Sequence, residues 1–147
     1  VLCEILNKCL NEKNPSLYDL IITSFKELDS SAVFLKGFDS LFILKLCDVL
    51  GIQPLFDKIN NPLNSVLSIE DGEYVDYSPL LNQKKYIPIK ESCQIIQMCD
   101  LSFRELAAYD IEENLNNRIF KYLILYISHH LTDLTHLKSL EVIKSLN

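Results

Sequence analysis

Glycine is scarce in this chain: three in 147 residues, beside one methionine and no tryptophan. That poverty excludes the glycine-rich loops that cradle phosphates and dinucleotides, and no such fingerprint occurs anywhere. Cations are also in short supply, 14 Lys and Arg against 20 Asp and Glu, which gives a net charge of −6 and a pI near 5.0. A sequence-independent grip on nucleic acid needs clustered Lys and Arg, so weak or no DNA binding is expected of this chain alone. The most apolar stretch, residues 33–52, is interrupted by Lys36, Asp39, Lys45 and Asp48 and makes a poor membrane span. Paired cysteine motifs are missing too. Cys3, Cys9, Cys47, Cys93 and Cys99 each fall at an apolar position of an expected helix, where free cysteine acts as a small hydrophobe. Five unpaired thiols suit a reducing cytosol, with neither zinc nor disulfide expected.

An apolar fraction of 48% argues for a packed domain, and the length fits one domain over residues 1–147. Apolar residues recur at helical spacing from Val1 to Leu10, and the chain reads as opening within a helical pattern, as part of something longer. Asn14 then caps a second helix that Pro15 opens and that runs to about Leu28. A central helix is expected over Val33 to Ile52, stopped by Gly51 and Pro54. Phe34, Phe38, Leu41, Val49 and Ile52 share one stripe of it, and Lys45 projects from the middle of that stripe. Leu35, Ile43, Leu44, Leu46 and Leu50 occupy its other sides, so other helices must wrap it. The apolar residues Leu67, Ile69, Tyr74 and Val75 around Asp71-Gly72 mark a hairpin, and Ser78 to Tyr86 reads as loop. Pro88 opens a fourth helix. Asp110 and Glu113 resemble a capping box for a fifth, and a short sixth covers about Ser139 to Leu146. The fold expected is mainly α, a helical bundle around a buried central helix with one small inserted β-hairpin.

Reacting groups are hard to find. His129, His130 and His136 lack metal-ligand spacing, and no cysteine has an evident base or cationic setting. The acids Glu70, Asp71, Glu73 and Asp76 cluster at the hairpin without calcium-loop spacing. No catalytic residue, metal or cofactor is therefore expected, and the chain reads as non-enzymatic. Charge is uneven along it. Residues 114–147 hold Arg118, Lys121, Lys138 and Lys144 against Asp133 and Glu141, a net of +2 that leaves −8 for the first 113.

Three blocks in order resemble the helical C-terminal region of the RecO recombination mediators. They are Glu4-Ile5-Leu6 with Asn14-Pro15-Ser16-Leu17-Tyr18-Asp19-Leu20, the Phe42-Ile43-Leu44-Lys45-Leu46 helix running to Gly51 and Pro54, and His130-Leu131 with Leu137-Lys138-Ser139-Leu140-Glu141-Val142-Ile143. Residues 67–75 resemble the short hairpin of the zinc-free, Bacteroidetes-type members. Four cysteines between central and fourth helices hold zinc in many members, but this chain has none between Cys47 and Cys93. The family's N-terminal oligonucleotide-binding barrel is absent from this sequence. The resemblance implies a cytoplasmic, non-enzymatic role in recombinational DNA repair, through contacts with RecR and the single-stranded DNA-binding protein. An unrelated helical scaffold or adaptor with no DNA connection is the alternative. Lys45, Phe38, Leu41, Lys138, Arg118 and Lys121 are the partner-binding candidates. An ammonium at Lys45 beside apolar surface suits an acidic peptide; snorkelling to water, or pairing with an acid such as Asp19 or Glu4, is the structural reading.

Overall fold

The computed structural model describes residues 2–9, 13–57 and 59–131. In chain order these form α1 (Leu2–Cys9), α2 (Pro15–Ser30), α3 (Phe38–Val49), β1 (Ser65–Leu67), β2 (Tyr74–Asp76), α4 (Ile89–Cys99) and α5 (Glu113–His130). Single 3₁₀ turns lie at Pro62–Asn64, Gln83–Lys85 and Glu105–Ala108. The architecture is mainly α with one small antiparallel hairpin. The expected sixth helix lies outside the described residues.

Capping chemistry sets two of the helix ends where the sequence places them. Asn14 Oδ1 accepts the Leu17 N–H at 3.0 Å and Pro15 takes the first helical position. At the other end of α3, Gly51 adopts φ +72°, the Ile52 N–H reaches the Cys47 carbonyl at 2.9 Å and the Gly51 N–H reaches Asp48 at 3.0 Å. Those crossed bonds are a Schellman motif, which satisfies carbonyls that the helix itself leaves without donors.

Two starts differ from expectation. α3 begins at Phe38, not Val33, because Gly37 takes φ +82° and breaks any helix upstream of it. Ser31 Oγ folds onto Val33 instead, and Phe34 stands 88% exposed rather than on the buried stripe. α5 begins at Glu113 behind Glu112, with no side-chain cap, so Asp110 forms no capping box. Ile111 is buried here, and Tyr109 and Glu112 on either side of it keep extended backbone, so the helix starts only after Glu112.

α3 is the centre of the fold. Phe38, Leu41, Phe42, Ile43, Leu44, Leu46 and Cys47 are all buried, under α2 on one side and α4 and α5 on others. Phe25 of α2, Phe38, Phe42 and Phe103 join in an aromatic cluster with ring centroids 5.4–6.1 Å apart. Each such ring contributes roughly 1.5–3 kcal/mol when fully buried. A polar pin crosses from α3 to α5, where Ser40 Oγ donates to Asn116 Oδ1 at 2.7 Å and Asn116 Nδ2 to Asp39 at 3.0 Å.

The hairpin pairs Ser65 with Asp76, Val66 with Val75 and Leu67 with Tyr74. Its flanks are covered on both sides, by Leu55 beside Tyr74 and by residues 85–87 beside Leu67 and Ile69. Ser92 of α4 locks it to the bundle, accepting the Leu67 N–H at 3.1 Å and donating to the Ile87 carbonyl at 2.8 Å.

Candidate functional site

Lys45 sits on α3 among buried neighbours, and its side chain is half-buried. Its ammonium donates to the carbonyl oxygen of Cys99 at 2.8 Å. Cys99 ends α4, so this carbonyl is one that the helix cannot satisfy and that carries its negative dipole end. The lysine is therefore a cap for another helix; neither Asp19 nor Glu4 is the acceptor in that bond.

Around Lys45 lies an open groove of about 670 Å³ between α2, α3 and residues 100–104. Leu20, Val49, Leu101 and Phe103 supply its apolar lining, and Asp19, Glu27, Asp48, Asp100 and Arg104 its charges. Arg104 meets Glu27 at 3.3 Å. The lining thus holds four carboxylates against two cations, and both cations are engaged. Cys99, beside this groove, has its thiol pushed up to about 12, chiefly by burial, with Asp100 and Asp48 adding to the rise and Lys45 opposing it. An acidic peptide would meet repulsion here, so the groove departs from the expectation drawn for Lys45.

The other candidates fall in separate places. Leu41 is wholly enclosed and offers no surface to a partner. Phe38 is nearly so and shows only an edge to a second cavity, lined also by Leu28, Phe34, Lys36 and Asn117. Arg118 Nε meets Glu91 Oε1 at 2.6 Å, and Glu91 is almost fully buried. That carboxylate needs its guanidinium, because an unpaired buried charge is costly. Lys121 is half-buried on α5. Lys138 lies outside the described residues, as does His136.

His130 is more than a helix-end residue. Its Nε2 lies 3.0 Å from the Ile69 carbonyl and its ring packs on Tyr126, with centroids 4.4 Å apart. Burial holds its pKa below the ordinary histidine value, with His129 adding to the fall and the Ile69 bond and Asp71 opposing it. Beside it, Tyr126 Oη donates to Ile52 at 2.7 Å. No linear pattern pointed to this role for His130 beyond its spacing of four from Tyr126. Among the described residues, no group of His, Cys, Asp and Glu is placed to hold a metal ion, and no helix is long and apolar enough to cross a membrane.

A helical body built round one buried helix, with a short hairpin between its third and fourth helices, defines the class of this chain. Over that body the chain is similar to the DNA repair protein RecO from two strains of Bacteroides fragilis, with 23% identity over 147 residues covering 99% of this chain. The chain spans 60% of the length of these curated relatives. No family model and no solved structure matches it.

Proposed function

We propose that this chain is the helical, non-enzymatic body of a RecO-like recombination mediator and acts by holding protein partners. The similarity to RecO along 99% of the chain carries the reading, and it points to a role in DNA repair and recombination. The partners proposed are RecR and the single-stranded DNA-binding protein. An acidic partner tail fits best on the cationic C-terminal quarter, where Lys121 has no acidic neighbour in an ion pair among the described residues and where Lys138 and Lys144 follow in sequence. Arg118 contributes less to such a surface, because Glu91 already holds it. Charge complementarity of this kind steers encounter and selects partners more than it adds affinity.

The test is calorimetric titration of the purified chain with RecR and with the single-stranded DNA-binding protein from the same genome, the latter with and without its C-terminal tail. Binding that is lost with the tail, and weakened in Lys121→Glu, supports the proposal. Absence of heat with both partners overturns it.

A further inference from the structure

The groove beside Lys45 is acidic where helix electrostatics asks for cations. Asp48 stands in the last turn of α3 and Asp100 directly follows α4, both at the negative ends of helix dipoles. Neither helix carries a basic residue in its last turn. Asp19 adds a third carboxylate from α2, so three separate elements converge on one groove. All three are exposed, and none of their carboxylates makes a hydrogen bond or ion pair among the described residues. The two cations of the groove are spent within the fold, Lys45 on the Cys99 carbonyl and Arg104 on Glu27.

Between these charges the lining is apolar and firm. Leu20, Val49 and Leu101 are half-buried, and Phe103 is fixed by its ring contact with Phe38 at 5.4 Å. We infer that this groove docks a basic amphipathic segment of a partner protein, apolar side chains on Leu20, Val49 and Leu101 over the buried Phe103, and Lys or Arg among Asp19, Asp48 and Asp100. Such a segment meets three carboxylates that nothing else in the described fold neutralises, and it relieves two helix ends. Burial of the apolar side chains supplies affinity, and the carboxylates select against acidic competitors. This occupant is of opposite charge to the acidic tail proposed for the C-terminal quarter, so either reading can fail without the other.

The probe is a synthetic amphipathic peptide of leucine and arginine, with a leucine and glutamate peptide of the same pattern as control. Titration at ~150 mM salt, where long-range attraction is screened, is followed by amide NMR shift mapping on the whole chain. Shifts gathered on residues 19–27, 45–49 and 100–104 are expected with the arginine peptide and absent with the glutamate peptide. Combined Asp19→Asn, Asp48→Asn and Asp100→Asn should weaken the complex about tenfold or more, a loss of roughly 1.4 kcal/mol per decade. Combined Asp29→Asn, Asp57→Asn and Asp110→Asn removes the same charge from exposed sites elsewhere and should leave affinity nearly unchanged. Equal weakening by both triple variants, shifts scattered over the surface, or no binding would each overturn the inference.

Discussion

The ammonium of Lys45 and the carbonyl of Cys99, 54 positions apart in sequence, meet at 2.8 Å and tie the central helix to the end of α4. This one bond accounts for a cation in an apolar stripe: the charge completes a neighbouring helix. Lys45→Met keeps the stem and removes the donor, and is expected to cost about 2–4 kcal/mol, the sum of a charge-assisted bond and a dipole contact. Denaturant unfolding of the two proteins measures it. A variant as stable as the parent would show that the bond contributes nothing net.

Gly72 combines φ +71° with a close neighbour, since a Cβ there would lie 2.8 Å from Tyr126 Oη. Tyr126 is buried and bonded to Ile52, so it has little room to withdraw. Gly72→Ala should therefore destabilise by more than the ~1–2 kcal/mol of left-handed backbone strain alone. Tyr126→Phe removes the clashing oxygen. In a double-mutant cycle the pair should cost less than the sum of the two single changes. Strict additivity would dissociate the glycine from the tyrosine.

Stability should fall on mild acidification through His130. Its folded pKa lies below the ordinary value near 6.5, so in that window the unfolded chain binds the extra proton. The contribution is whole above the unfolded value and is lost as pH drops toward the folded one. His130→Gln should flatten this part of the stability curve, and NMR titration of the imidazole should show a midpoint under the ordinary histidine value. A midpoint above it would reverse the sign.

Cysteine reactivity should divide by burial. Cys3 is exposed, whereas Cys99 is half-buried with its thiol raised to about 12. Because the thiolate is the nucleophile, iodoacetamide followed by peptide mass mapping should label Cys3 long before Cys99. Comparable rates in the native protein would contradict the packing at the end of α4.

Where local chemistry decides an outcome, the sequence carries it. Asn14-Pro15 and Gly51 mark helix ends correctly because capping depends on the residues at that spot. The apolar period misleads before Gly37, where Phe34 continues the helical spacing although the backbone has turned. At Asp110 and Glu113 the pattern of a capping box is present, but Ile111 is buried and Glu112 keeps extended backbone, so the helix starts after it. The mainly helical body with its hairpin was legible in this way, and so was the similarity to RecO. The groove was not. Asp19, Asp48 and Asp100 come from three elements, and no linear spacing brings them together.

The hairpin, finally, has consequences for the order in which the chain folds. Its turn region is fastened by α5, through His130 to Ile69 across 61 positions, while Tyr126 holds Ile52 across 74. Two short strands of this length are at best marginal alone in water. Closing loops of this span costs entropy that is recovered only once distant segments meet. The strands therefore gain their permanence late, after α3 and α5 have found each other, and a lesion in the last turns of α5 should loosen residues 65–76 before it disturbs the helical centre.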